Sequence, residues 1–401
     1  MKKVKILRGV SLIIDSIIGH IVLAISYITP RNKNKFVFGC KTGFRDNPKY
    51  LYLELQKNTS YKVFWYAKTL SQYNELKSLG LPVVCKYSLS GLYHLLTASC
   101  YFSSHNAKKD YCEWTSGNVK LVVLWHGVGI KALTYKRKYS SPLSLFLVDH
   151  VLHTKKNIDA FLVTSDFMAS QYIKYKKLSK DVFFYASYPR CDFLKKNKEE
   201  IKGDLKSIND ESSLKFISYL ESYKKVYIYL PTWRDNGYNF LDYAHFDFNK
   251  MNDLMKSKNS LFVMKLHPNT NINLNSLSSY SNICVMSKDM DLYPILPFTD
   301  CLITDYSSVY YDYLYMDNKE ILLYLFDLEK YKNENRGLVM DINEAMPGVT
   351  AYSFNEMIDI IKSGVNCYVP NKDIIKELFW GKADKSVVEL IYNDVIFTKY
   401  K

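Results

Sequence analysis

The chain has 401 residues, enough for about two or three domains that each bury a core. Hydrophobic residues make up 48% of the chain and charged residues 23%, a balance that excludes an intrinsically disordered protein. The net charge of +14 favours an anionic partner: nucleic acid, anionic lipid or a phosphorylated substrate. No two of the eight cysteines form a C-x-x-C pair. This argues against a zinc site or a disulfide framework and favours reduced thiols in the cytoplasm.

The N-terminal segment differs in composition from the rest of the chain. An apolar stretch, Val10–Ile28, follows four cations, which are Lys2, Lys3, Lys5 and Arg8. Isoleucines recur in it at steps of three and four residues, which predicts an amphipathic helix lying on an anionic membrane surface. Asp15 and His20 interrupt the stretch, which argues against a membrane span or a cleaved signal peptide. A helix in the core of the first domain is the other interpretation that the pattern allows.

Short apolar runs alternate with helical stretches along the remaining chain. The first set of predicted strands comprises 35–39, 61–66, 81–84, 99–103, 120–125, 161–164 and 181–184. A polar, lysine-rich connection at 195–222 separates it from a second set, 225–230, 261–266, 282–286, 300–304 and 320–324. Runs without polar alternation are typical of parallel strands buried on both faces. The sequence therefore predicts an α/β protein with two Rossmann-like doubly wound domains, 31–205 and 206–401, facing a cleft, after the helical segment 1–30.

A histidine beside two glycines follows the predicted strand 120–125, in the motif Trp125-His126-Gly127-Val-Gly129. Ligands of open α/β sheets bind beyond the carboxyl ends of the strands, so we expect His126 in the cleft. Imidazole takes a proton from an attacking hydroxyl near neutral pH, and Gly127 lets the backbone approach a ligand closely. The pattern favours a catalytic base over a structural histidine in the turn.

The predicted strand 225–230 ends in the motif Leu230-Pro-Thr232-Trp-Arg234-Asp235. Thr232 offers a hydroxyl, and the planar guanidinium of Arg234 matches the geometry of a phosphate. These two residues are candidates for nucleotide or phosphate binding. An ion pair between Arg234 and a nearby carboxylate fits the pattern equally well.

The predicted strand 261–266 leads into the motif Lys265-Leu-His267-Pro268-Asn269. Alternation along a strand places Lys265 and His267 on one face, where both side chains meet an anion. The pattern favours this anion site over an exposed pair without a function.

The predicted strand 300–304 runs through Asp305, Tyr306, Ser307 and Ser308 into a predicted helix, 309–316. The two serines stand at the helix N-terminus, where unpaired N–H groups and the hydroxyls favour a phosphate. Asp305 or Ser307 is alternatively the N-cap of that helix, a role compatible with phosphate binding.

Several common motifs are absent from the sequence. It contains no G-x-G-x-x-G, Walker A, H-E-x-x-H or G-x-S-x-G pattern. This argues against a dinucleotide dehydrogenase, a P-loop kinase, a zinc protease and an α/β-hydrolase. The lysines are scattered and no nucleic-acid recognition module is visible, so nucleic acid is not an expected partner.

The four motifs, in this order, resemble those of the CDP-glycerol glycerophosphotransferase family, whose members prime and polymerise bacterial teichoic acids. The resemblance continues through Tyr188-Pro-Arg190-Cys-Asp192 and covers roughly residues 36–395. It implies a two-domain glycosyltransferase-B fold, which agrees with the strand pattern. It also implies transfer of glycerol phosphate from CDP-glycerol to an acceptor hydroxyl, with release of CMP. Tyr188 departs from the family pattern, which usually has glycine there.

The resemblance assigns a role to each candidate residue. His126 matches the family's proposed base toward the acceptor, and His267 the second essential histidine, beside the donor pyrophosphate. Ser307 and Ser308 match contacts to the donor phosphate. The other residues on the donor phosphate and nucleotide side are Thr232, Arg234, Lys265 and Asp305. Gly127 and Arg190 belong to the acceptor side or its loop.

The expected partners are CDP-glycerol, an undecaprenyl-diphosphate-linked acceptor and an anionic membrane surface. They imply a peripheral protein on the cytoplasmic face of the cell membrane. No cofactor is expected, because CDP-glycerol is a co-substrate, and the sequence leaves a metal requirement open.

Other functions fit the same motifs. The donor is alternatively CDP-ribitol or another CDP-polyol, and the product a capsule. A nucleotide-sugar glycosyltransferase on the same fold is a further alternative. A non-catalytic membrane scaffold is disfavoured, because His126 and His267 are both intact.

Overall fold

The computed structural model describes residues 2–86, 88–131, 141, 143, 146–234, 239–267, 270, 272, 275–334, 338–364 and 369–398. Asp235, Pro268 and Asn269 of the sequence motifs lie outside these residues. The side chains of four predicted membrane-facing cations, Lys2, Lys3, Lys5 and Arg8, also lie outside the described part.

The first half of the chain forms a parallel sheet of seven strands in the order β3-β2-β1-β4-β5-β6-β7. Its strands are β1 (Asn32–Gly39), β2 (Lys62–Ala67), β3 (Val83–Cys85), β4 (Ala98–Ser103), β5 (Lys120–Val123), β6 (Ala160–Val163) and β7 (Phe183–Tyr185). The helices are α1 (Lys2–Ile28), α2 (Asp46–Gln56), α3 (Leu70–Ser78), α4 (Leu89–Thr97), α5 (Ala107–Asp110) and α6 (Asp166–Lys176). The strand order reverses between β1 and β4, which opens a crevice at their carboxyl ends.

The second half forms a parallel sheet of six strands in the order β10-β9-β8-β11-β12-β13. Its strands are β8 (Lys225–Leu230), β9 (Ser260–Met264), β10 (Ile283–Val285), β11 (Cys301–Thr304), β12 (Glu320–Tyr324) and β13 (Val349–Ala351). The order reverses between β8 and β11, so this sheet has a crevice of its own. The two sheets confirm the predicted α/β class with two doubly wound units.

The helices of the second half lie before, between and after these strands. Three precede β8: α7 (Pro189–Leu194), α8 (Lys198–Ser207) and α9 (Glu211–Leu220). Those from β8 to β13 are α10 (Phe240–Tyr243), α11 (Phe248–Ser257), α12 (Val309–Tyr313), α13 (Leu328–Glu334) and α14 (Ile342–Ala345). The last are α15 (Phe354–Ser363), α16 (Lys372–Trp380), α17 (Val387–Tyr392) and α18 (Val395–Thr398). The lysine-rich connection thus contains α8 and α9.

The apolar runs that predicted the strands form the core. Phe36, Val37 and Phe38 of β1 are fully buried, and so are Leu261, Phe262 and Val263 of β9. Strands at the centre of a parallel sheet are covered by helices on both faces, so adjacent residues are all apolar. The pattern missed β13, which has three residues, two of them only half-buried.

The last helices of the chain return to the first sheet. Thr164, at the end of β6, donates its hydroxyl to Phe379 O of α16 at 2.6 Å. The Tyr392 ring of α17 stacks on Tyr61, with the centroids 5.9 Å apart. Both halves of the chain therefore take part in packing the first sheet, and the predicted boundaries at 30 and 205 stay predictions.

Helix α1 packs on the first half with its small and polar residues. Ser26 donates its hydroxyl to Thr115 O at 2.7 Å, and the His20 ring lies 4.8 Å from the ring of Trp114. Six isoleucines of α1 are 43% to 59% exposed, and Ile28 at its end is 82% exposed; the six are Ile13, Ile14, Ile17, Ile18, Ile21 and Ile25. The predicted helix is present, but it is not a core helix. None of the helices in the described residues is long and apolar enough to cross a membrane.

Candidate active site

The candidate residues lie where the two crevices face each other. The loops after β1, β4 and β5 come from the first sheet, and the loops after β8, β9 and β11 from the second. Arg190, at the start of α7, contacts both sets of loops through Asp46 and Asp312. The structure therefore brings the sequence motifs of both halves to one cleft.

His126 stands on an unusual backbone at the end of β5. Trp125 before it has a φ of 56° and Gly127 after it a φ of 126°. A bulky residue such as tryptophan rarely adopts a positive φ, which is strained unless packing enforces it. Packing does so here: the His126 ring lies 3.9 Å from the Trp125 ring and 4.9 Å from the His105 ring, between centroids. The strained turn presents the imidazole to the cleft.

The surroundings of His126 keep its imidazole neutral. Desolvation by the walls of the cleft, and then the electrostatic interactions with His105, Arg190 and Lys176, lower its pKa to about 3. The side chain nevertheless remains accessible from the cleft. A neutral, accessible imidazole has a nitrogen lone pair that accepts a proton, as a general base requires.

His105 is a neighbour of His126 that the sequence analysis missed. Its Nδ1 lies 2.8 Å from Ser104 Oγ and 3.6 Å from Asp110 Oδ1. The Asp110 carboxylate also accepts the backbone N–H of His105 at 2.6 Å. The sequence pattern could have identified His105, because it follows β4 just as His126 follows the neighbouring strand β5.

Arg190 is a buried link, only 4% exposed. Its Nη1 donates to Asp46 Oδ1 at 2.9 Å and to His126 O at 3.0 Å, and its Nη2 donates to Asp312 Oδ2 at 2.6 Å. A Cβ added at Gly127 would lie 2.5 Å from Arg190 Nη2, so only glycine fits there. Arg190 thus positions the His126 loop against the second half.

Arg234 and Asp305 are paired with each other. Arg234 is 1% exposed and donates to Thr232 O, to Asp305 Oδ2 at 2.8 Å and to both oxygens of Asp327. Asp305 also accepts the backbone N–H of Thr232, at 2.9 Å. These bonds hold the loops after β8 and β11 together. The predicted direct contact of both residues with a donor phosphate stays a prediction.

Ser307 and Ser308 present their hydroxyls at the start of α12. Neither hydroxyl forms a hydrogen bond with any part of the protein that the structure describes, and Ser308 makes no capping bond to α12. A Cβ added at Gly127 would lie 3.8 Å from Ser308 Oγ, and one at Gly129 would lie 3.5 Å from Ser308 Cβ. Ser308 therefore lies against the glycine-rich loop beside His126.

The motif that contains Lys265 and His267 is arranged differently from the prediction. Strand β9 ends at Met264, so strand alternation does not place Lys265 and His267 on one face. Lys265 Nζ donates to Ser287 O at 2.5 Å and to Met290 O at 2.9 Å. His267 is exposed, and its ring stacks on Trp233 with the centroids 6.1 Å apart. Desolvation and then the charges of Lys131 and Lys288 lower the pKa of His267.

Comparisons with known proteins bear on this geometry. A teichoic acid poly(glycerol phosphate) polymerase of Bacillus spizizenii is 26% identical to this chain over an alignment 407 residues long. The alignment covers 92% of this chain and 94% of that protein. A teichoic acid poly(ribitol-phosphate) polymerase of the same organism is 26% identical over 94% of this chain and 58% of its own length.

The solved structure of the wall teichoic acid polymerase TagF superposes with a TM-score of 0.71 at 20% identity, covering 100% of this chain and 98% of that one. At that identity the likeness concerns the fold. The family described as CDP-Glycerol:Poly(glycerophosphate) glycerophosphotransferase matches residues 21–396. The chain therefore belongs to the CDP-glycerol:poly(glycerophosphate) glycerophosphotransferase family.

Proposed function

We propose that this protein transfers glycerol phosphate from CDP-glycerol to a hydroxyl of a teichoic acid chain, with release of CMP. The observation that carries the proposal is the approach of the loop after His126 to the start of α12, where a Cβ added at Gly127 would lie 3.8 Å from Ser308 Oγ. A neutral base and donors for a phosphate are the groups that such a transfer needs. Membership of the family and the similarity to the glycerol phosphate polymerase support this chemistry.

The reaction follows from these positions. Ser307 and Ser308 donate hydrogen bonds to the diphosphate of CDP-glycerol, with His267 beside it. The acceptor hydroxyl attacks the phosphorus that carries glycerol, and its proton passes to the imidazole of His126. The bond from that phosphorus to the bridging oxygen breaks, and CMP leaves with that oxygen. The negative donor phosphates raise the pKa of His126 from its low value, which strengthens the base while the donor is bound.

Chromatography of the nucleotides released tests this proposal. The protein is incubated with CDP-glycerol, with and without a soluble acceptor analogue, and with UDP- and GDP-sugars as controls. We expect CMP from CDP-glycerol only when the acceptor is present. Release of a nucleoside diphosphate from a nucleotide sugar would favour a sugar transferase instead. No turnover of any donor would leave the non-catalytic scaffold.

CDP-ribitol is the second candidate donor. The glycerol phosphate and ribitol phosphate polymerases of Bacillus spizizenii have the same identity to this chain, 26%, although the match covers 94% of the first protein and 58% of the second. The same experiment with CDP-ribitol separates the two, since the true donor gives the higher kcat/KM for CMP release.

We further propose that the acceptor is lipid-linked and that the protein works at the cytoplasmic face of the membrane. Exposed isoleucines along α1 support this, because apolar side chains of this kind insert between lipid headgroups. A second exposed apolar group, Leu143, Phe146, Leu147 and Val151, lies next to α1. The two segments touch where Ser16 donates its hydroxyl to Val151 O at 2.5 Å.

Sedimentation with anionic vesicles tests the membrane proposal. Ile17→Asn with Ile21→Asn changes two residues of α1 that are 59% and 58% exposed, and should move the protein from the vesicle pellet to the supernatant. Ile374→Asn, which removes an exposed isoleucine of α16 far along the chain, is the control and should sediment like the unaltered protein. Equal sedimentation of all three proteins would refute membrane binding through α1.

A further inference from the structure

A cavity of about 260 Å³ opens beside His126 on the cleft. It is lined by the loop after β1, by His126, by Lys265 and by the segment 290–293. Pockets for drug-sized ligands measure about 300 to 1,000 Å³, so this one suits a single small unit. Ser307 and Ser308 are not among its lining residues. The two serines thus lie outside this cavity, whereas His126 lines it.

The acids that line the cavity are already neutralised. Asp46 pairs with Arg190 at 2.9 Å, and Asp291 pairs with Lys49 at 2.6 Å. Arg45 also lines the cavity, and it forms no ion pair or side-chain hydrogen bond with any residue in the described ranges. An arginine without an acidic partner leaves positive charge in the cavity, and its planar guanidinium matches a phosphate.

Lys265 adds a second cation to the same cavity. Its ammonium donates to carbonyl oxygens of the 287–290 loop and to no carboxylate within the described residues. Desolvation and the neighbouring charge of Arg45 lower the pKa of Lys265 to about 8. Two cations in one cavity repel each other, and an anion bound between them removes that repulsion.

We propose that this cavity binds the phosphodiester next to the growing end of the acceptor, through Arg45 and Lys265. The inference rests on the proposed function and deepens it. With the donor phosphate at the serines, outside the cavity, the cavity beside His126 is left for the acceptor that brings the attacking hydroxyl. An acceptor whose last unit already carries a phosphate then fits better than one without. The protein thus extends an existing poly(glycerol phosphate) chain and has the acceptor preference of a polymerase.

The test compares two soluble acceptors that differ by one glycerol phosphate unit. Arg45→Gln removes the unpaired charge, and Lys41→Gln removes an exposed charge of the same loop outside the cavity. We expect Arg45→Gln to lower kcat/KM for the phosphorylated acceptor about 10- to 100-fold and to reduce the preference for it by a similar factor. The dissociation constant of CDP-glycerol should stay unchanged, and Lys41→Gln should resemble the unaltered protein.

Three outcomes would overturn the inference. Equal losses of kcat/KM on both acceptors would show that Arg45 does not bind the acceptor phosphate. No loss on either acceptor would show that the reaction does not use Arg45. Weaker CDP-glycerol binding would place the donor phosphate in the cavity instead.

Absence of CMP release by the unaltered protein would contradict the proposed function but not the cavity. Calorimetry with glycerophosphoglycerol, two glycerols joined by one phosphodiester, decides that case. Binding that Arg45→Gln weakens supports the cavity, and absence of binding to the unaltered protein refutes it.

Discussion

The two halves of the molecule use a buried arginine in different ways. Arg190 joins acids from both halves, Asp46 and Asp312, and holds the carbonyl of His126. Arg234 stays within the second half, where it joins Asp305 and Asp327. The first arginine fixes the halves relative to each other, and the second fixes two loops of one sheet. In both, the guanidinium is buried, and the groups that the proposed reaction uses, an imidazole and hydroxyls, are uncharged.

The largest effect is expected for His126, whose backbone carbonyl Arg190 binds. His126→Ala removes the base while leaving the backbone that Arg190 holds, so turnover should fall by about two to four orders of magnitude. Calorimetry should show little change in CDP-glycerol affinity, because the donor contacts lie in the second half. Turnover close to that of the unaltered protein would make His126 a structural residue of the turn.

Removing the second arginine should mainly reduce stability. Arg234→Met leaves Asp305 and Asp327 buried without their partner, which should lower the free energy of unfolding by about 3 to 5 kcal/mol. Urea unfolding measures the change. Lys57→Met, which breaks exposed pairs with Glu54 and Asp204, is the control and should cost about 0 to 1 kcal/mol. If the two variants lose equal stability, the Arg234 cluster does not hold the loops.

The hydroxyls that the second half presents should have a smaller effect. Ser307→Ala with Ser308→Ala removes two donors to the phosphate but leaves the backbone N–H groups, so CDP-glycerol affinity should fall about tenfold. Ser257→Ala, at an exposed helix end, serves as the control in the same calorimetry. An unchanged affinity in the double variant would move the donor phosphate away from the start of α12.

The smallest effect concerns pH. Folding lowers the pKa of His126 from 6.5 to about 3, so the unfolded chain binds a proton in this range that the folded protein does not. The contribution of the neutral His126 to the free energy of unfolding is therefore fully present above pH 6.5, and it is lost as the pH falls towards 3. When the pH is lowered from neutral to about 5, the free energy of unfolding measured in urea should fall less for His126→Ala than for the unaltered protein. Parallel losses would show that the imidazole is not held neutral.

Much of the fold could be predicted because its strands are continuous apolar runs. The runs at 225–230 and 320–324 match β8 and β12 residue for residue. The pattern missed strand β13 because this strand is short and only partly buried. The predicted strand 261–266 starts one residue late and ends two residues beyond the observed end of β9 at Met264. Where a strand ends depends on packing partners from distant parts of the chain.

The sequence predicted where the candidate residues lie in the fold better than it predicted which groups they contact. His126, Ser307 and Ser308 lie in the cleft, as strand ends in an α/β sheet require. Arg234 looked equally suited to a phosphate or a carboxylate, and only the fold shows Asp305 and Asp327 around it. His105 follows a strand end as His126 does but stands in no motif that the sequence analysis used, and the cavity around Arg45 is formed with segments distant in the sequence, such as Lys265.

The return of α16 to the first sheet has a consequence for synthesis on the ribosome. About 190 residues separate the end of β7 at Tyr185 from the start of α16 at Lys372. At about 5 to 20 residues per second, translation needs roughly 10 to 40 s to cover that distance. During this interval Thr164 lacks its acceptor on Phe379, and Phe167 of α6 lacks the Phe379 ring that packs against it. The nascent first half is therefore a target for chaperones until the last helices emerge.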